Sequence, residues 1–93
     1  MAAQPQIQPS DVDAPLRSLL AETLGLPSAR VAAFDAQTEL FGALPEFDSM
    51  AVAVVITELE DRLNIIVDDD DIDSETFATF GNLLAFCRMK QTA

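Results

Sequence analysis

Ser49 stands in the string Leu44-Pro45-Glu46-Phe47-Asp48-Ser49-Met50, directly ahead of the longest apolar run of the chain, Met50 to Ile56. A serine hydroxyl can either attack an electrophile itself or serve as the point where another group is attached. Attack needs a base to take the proton and a further group to orient that base. The chain has no histidine, and no G-x-S-x-G surrounds Ser49. Lys90, the sole lysine, would have to be buried and reach across from the end of the chain. No catalytic residue is therefore assigned. A polar pair followed at once by an amphipathic segment instead puts Ser49 in the first turn of a helix, pointing outward, as a handle to be modified.

Two other groups of residues invite a chemical reading. Asp68 to Glu75 is dense in carboxylates, but a calcium loop of the EF-hand type needs glycine at its sixth position and glutamate at its twelfth. Counting from Asp69 places Ser74 and Phe80 there, and counting from Asp71 places Thr76 and Asn82. Both registers fail, no metal site is expected, and a solvated loop leading into a helix is the simpler reading. Cys87 is the only cysteine, which excludes an internal disulfide and a cysteine metal cluster. It lies on an apolar helical stripe, as a buried structural thiol does.

The elements that must position Ser49 follow from spacing. Residues 1–10, rich in Gln and Pro, read as a disordered N-terminal lead-in, 11–90 as the folded domain and 91–93 as a tail. A first helix is expected from Asp11 or Asp13, with Pro15 in its opening turn and Val12, Leu16, Leu19, Leu20 and Leu24 as its buried stripe; Gly25 stops it. Pro27 to Asp48 is a long connection, pinned by Val31, Phe34, Leu40, Phe41, Leu44 and Phe47, with one helical turn predicted at Thr38–Phe41. The second helix runs from Ser49 to Leu63. Its buried face is Val52, Val55, Ile56, Leu59 and Leu63, and Met50, Ala53, Val54, Thr57, Glu60 and Asp61 fall on the other side. Its β-branched content leaves a strand as the competing reading of 51–56, and the helix formers of 57–63 favour the helix. A brief third helix is predicted over Asp71–Phe77, and a fourth from an N-cap at Thr79 to Lys90. The fold class is all-α: a four-helix bundle of three main helices and a short third one.

Composition narrows the partners. Sixteen Asp and Glu against five Lys and Arg give a net charge of −11 over 93 residues. That excess repels nucleic-acid phosphates and anionic lipid, and it favours basic protein surfaces. With 49% hydrophobic residues in clear periods, the chain is a folded acidic domain rather than a disordered one. The run from Met50 is too short to span a bilayer, and no signal peptide is visible, so a monomer in the cytoplasm is expected. Met50, Ala53, Val54 and Thr57, flanked by Glu60 and Asp61, have the make-up of a docking surface; the competing reading is a helix buried on two sides.

Together these pieces resemble the acyl carrier protein family, whose members carry Asp-Ser-Leu or Asp-Ser-Met at the start of the second helix. The likeness covers residues 11–90. It includes Thr38-Glu39-Leu40-Phe41 ahead of the signature, Leu59-Glu60-Asp61-Arg62-Leu63 at the helix end and Thr79-Phe80-Gly81-Asn82-Leu83 at the start of the last helix. The resemblance implies that Ser49 receives 4′-phosphopantetheine from coenzyme A through a magnesium-dependent phosphopantetheinyl transferase, and that the arm's thiol carries acyl groups as thioesters. It further implies an acyl groove at Val52, Ile56 and Ile72, and docking of Asp48, Glu60 and Asp61 on basic residues of acyl ligases, acyltransferases or synthases. Fatty-acid-type members usually have acidic residues early on the second helix, where this chain has Ala51 and Val54. The wording of 44–50 is similar to stand-alone carriers associated with exosortase and exopolysaccharide systems, which favours a specialised pathway over housekeeping fatty acid synthesis. An aminoacyl or peptidyl carrier, and an unmodified helical adaptor docking through the Met50/Val54 face, remain as alternatives.

Overall fold

In the computed structural model, which describes residues 12–92, the backbone forms α1 (Asp13–Leu24), α2 (Ser28–Ala32), α3 (Ser49–Leu63) and α4 (Phe80–Thr92). Among the described residues the only other regular pieces are a 3₁₀ turn at Asp69–Asp71 and an isolated antiparallel bridge between Glu39 and Thr79. The lead-in expected over 1–10 lies outside the described residues. None of the described helices is long and apolar enough to cross a membrane.

Each helix forms where local chemistry directs it. Leu16, Leu19, Leu20 and Leu24 recur at helical spacing and are buried against the rest of the core. Gly25 ends α1 at φ 71°, a left-handed conformation that suits glycine, and its N–H donates to the Ala21 carbonyl. Asp48 caps α3, its carboxylate accepting from the Ala51 N–H at 2.9 Å, and Asn64 closes that helix in the left-handed region at φ 60°. The β-branched run thus stays helical, because Val55, Leu59 and Leu63 have a core to fill. Thr79 caps α4 through its hydroxyl, which accepts from the Asn82 N–H at 3.1 Å.

The helices are tied by a few directed contacts. Arg17 of α1 is the most committed: its guanidinium bonds Asp13 at 2.6 Å and donates to the carbonyls of Val31, Ala32 and Phe34. It also lies 4.5 Å from the centre of the Phe80 ring. One side chain therefore joins α1 to the end of α2 and to the start of α4. Arg62 of α3 bonds Glu58 and reaches Glu22 of α1, each at 2.8 Å.

Three local expectations differ. The short helix lies at Ser28–Ala32, within the long connection, rather than at Asp71–Phe77. Over 68–76 the polar side chains satisfy the backbone themselves: Asp68 and Asp71 form a reciprocal capping box, and Asp73 accepts from both the N–H and the hydroxyl of Thr76. Such local bonds compete with a helix. Thr38–Phe41 forms no helical turn, because Leu40 and Phe41 donate to the carbonyls of Ala78 and Phe77, while Phe80 and Gly81 donate back to Thr38 and Ala36. The close approach needs glycine at 81, where a Cβ would meet the Ala36 carbonyl oxygen at 2.6 Å. Finally, α4 runs past Lys90, so 91 and 92 are helix and not tail; the Gln91 amide donates to the Leu63 carbonyl at 2.9 Å and covers the open end of α3.

Candidate functional site

Ser49 is the first residue of α3 and is exposed. Because Asp48 takes the Ala51 amide and the helical ladder begins with Val52 donating to the Asp48 carbonyl, the amides of Ser49 and Met50 precede the first intrahelical bond. Those two N–H groups and the positive end of the helix dipole favour a phosphate on the neighbouring hydroxyl. Beside the serine lies an open hollow of about 390 Å³ whose walls include Phe41, Gly42, Leu44, Phe47 and Asp48. Apart from Asp48, whose carboxylate is engaged by the Ala51 amide, no ionisable side chain lines it, so Ser49 has room for an attached group.

The outer face of α3 is open. Met50 is 80% exposed and Val54 48%, and Asp48, Ala53, Thr57, Glu60 and Asp61 are exposed as well. This removes the reading of a helix buried on two sides. Glu60 has a second task, since its carboxylate accepts from the Val67 N–H at 3.0 Å and holds the chain just beyond α3.

On the other side of α3 a hollow of about 250 Å³ is lined by Phe41, Val52, Ile72, Asp73, Ser74 and Phe77. Of the three predicted groove residues, Val52 and Ile72 meet here; Ile56 is half-buried against the core and does not line it. Phe41 and Phe77 were not singled out as groove residues. Their signal was weak, since each sits in an irregular stretch where periodicity says nothing about the side it faces.

Hydrogen bonds and an ion pair favour the charged forms of Asp73, at the rim of this hollow, and of Asp71, which precedes it in the chain. Lys90 stands 2.7 Å from Asp71 and 3.7 Å from Asp68. The hydrogen bond from Lys90, helped by the Asp68 amide, pulls the Asp71 carboxyl below its ordinary value. Bonds from the Thr76 backbone and hydroxyl do the same to Asp73. Cys87 is fully buried, and burial pushes its thiol up to about 12, which leaves it unreactive at neutral pH. Among the described residues no cluster of acidic, cysteine or histidine side chains could hold a metal ion.

The family described as the phosphopantetheine attachment site matches residues 14–87. The chain is also similar to a holo acyl carrier protein from Nitrosomonas europaea, known from a solution NMR structure. The two are 39% identical, the match covers 88% of this chain and 98% of that one, and the TM-score is 0.79. No curated protein matches the chain. With helix order, exposed serine and family agreeing over most of its length, the chain belongs to the phosphopantetheine-attachment family: it is a carrier of the acyl carrier fold, with phosphopantetheine as its prosthetic group, and not an enzyme.

Proposed function

We propose that Ser49 is the attachment point, and that the chain is a stand-alone acyl carrier of a specialised biosynthetic pathway. The observation that carries this reading is the exposed hydroxyl at the first position of α3, beside a capping Asp48 and an open hollow. In the loading step the Ser49 oxygen attacks the phosphorus that bears the pantetheine of coenzyme A. A P–O bond to the adjacent phosphate breaks, adenosine 3′,5′-bisphosphate departs, and the serine proton passes to a base of the transferase or to water. The arm then supplies a terminal thiol on which an acyl group is held as a thioester.

Carriers of this family meet phosphopantetheinyl transferases and biosynthetic enzymes. Here the partners we infer are a transferase and an acyl ligase, acyltransferase or synthase with a basic rim around an apolar pocket. Met50 and Val54 supply the apolar contact, and Asp48, Glu60 and Asp61 the charge. The carrier unit spans 11–90 with the last turn of α4 added, acts as a monomer, and belongs in the cytoplasm, where its lone thiol needs no partner. An apolar face where fatty-acid carriers are acidic favours a dedicated ligase over general fatty acid synthesis.

Intact mass after incubation with coenzyme A and a broad-specificity phosphopantetheinyl transferase tests the attachment. One phosphopantetheine should add to the wild type and none to Ser49→Ala. An unmodified wild type across several transferases would leave the helical adaptor as the better reading. Loading of the holo thiol by acyl rather than aminoacyl ligases separates the acyl carrier from the aminoacyl one.

A further inference from the structure

Met50 follows Ser49 directly and is 80% exposed, more than any other large apolar side chain among the described residues. It shares one face of α3 with Ala53, Val54 and Thr57, all exposed and all shorter. Met50 is thus the one long apolar chain of that patch. Helical side chains lean toward the N-terminus of their helix, which inclines the Met50 thioether toward the end of α3 that presents Ser49. The other sulfur groups of the described residues are placed differently. Cys87 is fully buried, and burial pushes its thiol up to about 12. Met89 is 56% exposed, but it lies on α4, outside the α3 face.

We propose that Met50 is a reversible oxidation site, whose conversion to the sulfoxide by a peroxide withdraws the carrier from its partner enzymes. This rests on the α3 face being the docking surface and on Ser49 being the attachment point. The Met50 sulfur gives an electron pair to one peroxide oxygen and an S–O bond forms. The O–O bond breaks, the other oxygen leaves as hydroxide, and the proton of the transferred oxygen passes to it to give water. The sulfur is oxidised by two electrons and the peroxide is reduced by two. A dithiol, acting through methionine sulfoxide reductase, returns the thioether; the dithiol becomes a disulfide and the oxygen leaves as water. The sulfoxide oxygen is polar and hydrated. A partner pocket that takes up hydrocarbon would strip its water without replacing the hydrogen bond. The fold itself should not respond at so exposed a site.

The test treats apo wild type, Met50→Leu and Met89→Leu with hydrogen peroxide and then removes the peroxide with catalase. It reads the oxygen gained at each methionine by peptide mass spectrometry, kcat/KM for a phosphopantetheinyl transferase, and the melting temperature. Met50 should gain its oxygen before Met89. kcat/KM should fall several-fold in treated wild type and treated Met89→Leu, at low and high salt alike because the lost contact is apolar, with no change in melting temperature. Treated Met50→Leu should keep its own untreated rate, and the reductase with dithiothreitol should restore wild type. Oxidation of Met89 ahead of Met50, an unchanged rate once Met50 is fully oxidised, or an equal fall in Met50→Leu overturns the proposal. So does a fall in rate that comes with a lowered melting temperature. If untreated wild type resists every transferase, the attachment reading fails and the oxidation site falls with it, whereas an unchanged rate after oxidation strikes the oxidation site alone.

Discussion

The Lys90 ammonium stands 2.7 Å from the Asp71 carboxylate and so links the last helix to the 3₁₀ turn that leads into Ile72 and Asp73 of the hollow beside α3. Asp71 has a lowered folded pKa, so its contribution is present above the unfolded value of about 3.9 and is lost as pH falls through the folded value below it. Lys90 has a raised folded pKa, so its share is present below about 10.4 and is lost as pH rises through the folded value above it. Asp71→Asn should lower the melting temperature at pH 7, and its deficit against wild type should close as pH falls through the lowered folded value of Asp71. Melting curves from pH 2 to 9 measure this; a constant deficit would mean the pair is not its source.

Asp48 has two separable duties, capping α3 and presenting charge. Asp48→Ala should cost about 1 kcal/mol in denaturant unfolding, and Asp48→Ser should retain most of that stability. Both should slow modification by the transferase if the charge takes part in docking. Full transferase activity in Asp48→Ser would confine this residue to the cap.

Gly81→Ala sets two effects against each other. Helix propensity favours alanine by up to about 1 kcal/mol. The new methyl, however, meets backbone atoms of Ala36, a clash expected to cost roughly 1–3 kcal/mol. The net change should be destabilising, with the amides of 36–41 losing hydrogen-exchange protection first. A stabilised variant would show that the loop can move away.

On the proposed docking face, Asp61 is a cleaner charge probe than Glu60, whose carboxylate also holds the Val67 amide. Asp61→Lys should lower partner rates several-fold at low salt and much less at high salt. Met50→Ser should lower them at both, with a stability change within about 0.5 kcal/mol for so exposed a site. Stopped-flow association with the transferase reads both.

Where a feature is local, it was legible in the chain. The capping Asp48, the period of Val55, Leu59 and Leu63, and the stripe of leucines before Gly25 each specify a helix by themselves, so the place of Ser49 on α3 could be read directly. Thr38–Phe41 and Asp71–Phe77 could not, for opposite reasons. The first takes its conformation from Phe77–Gly81, far along the chain. The second is decided by side-chain bonds of Asp68, Asp71, Asp73 and Thr76 that outcompete a helix the composition allows. The groove was seen in part for the same reason: Val52 lies on a periodic helix, whereas Phe41 and Phe77 are placed by that long-range pairing.

That pairing also ties together distant parts of the chain. Residues 36–41 and 77–81 are joined by four amide bonds that close a loop of about forty residues, an entropic cost that must be met before the bonds form. Leu40, Phe77 and Phe80 of the paired segments are buried, so the closure belongs to the same cooperative core as the docking of α1 on α3. The segment behind Ser49 thus takes its shape only when two stretches far apart in the chain have met.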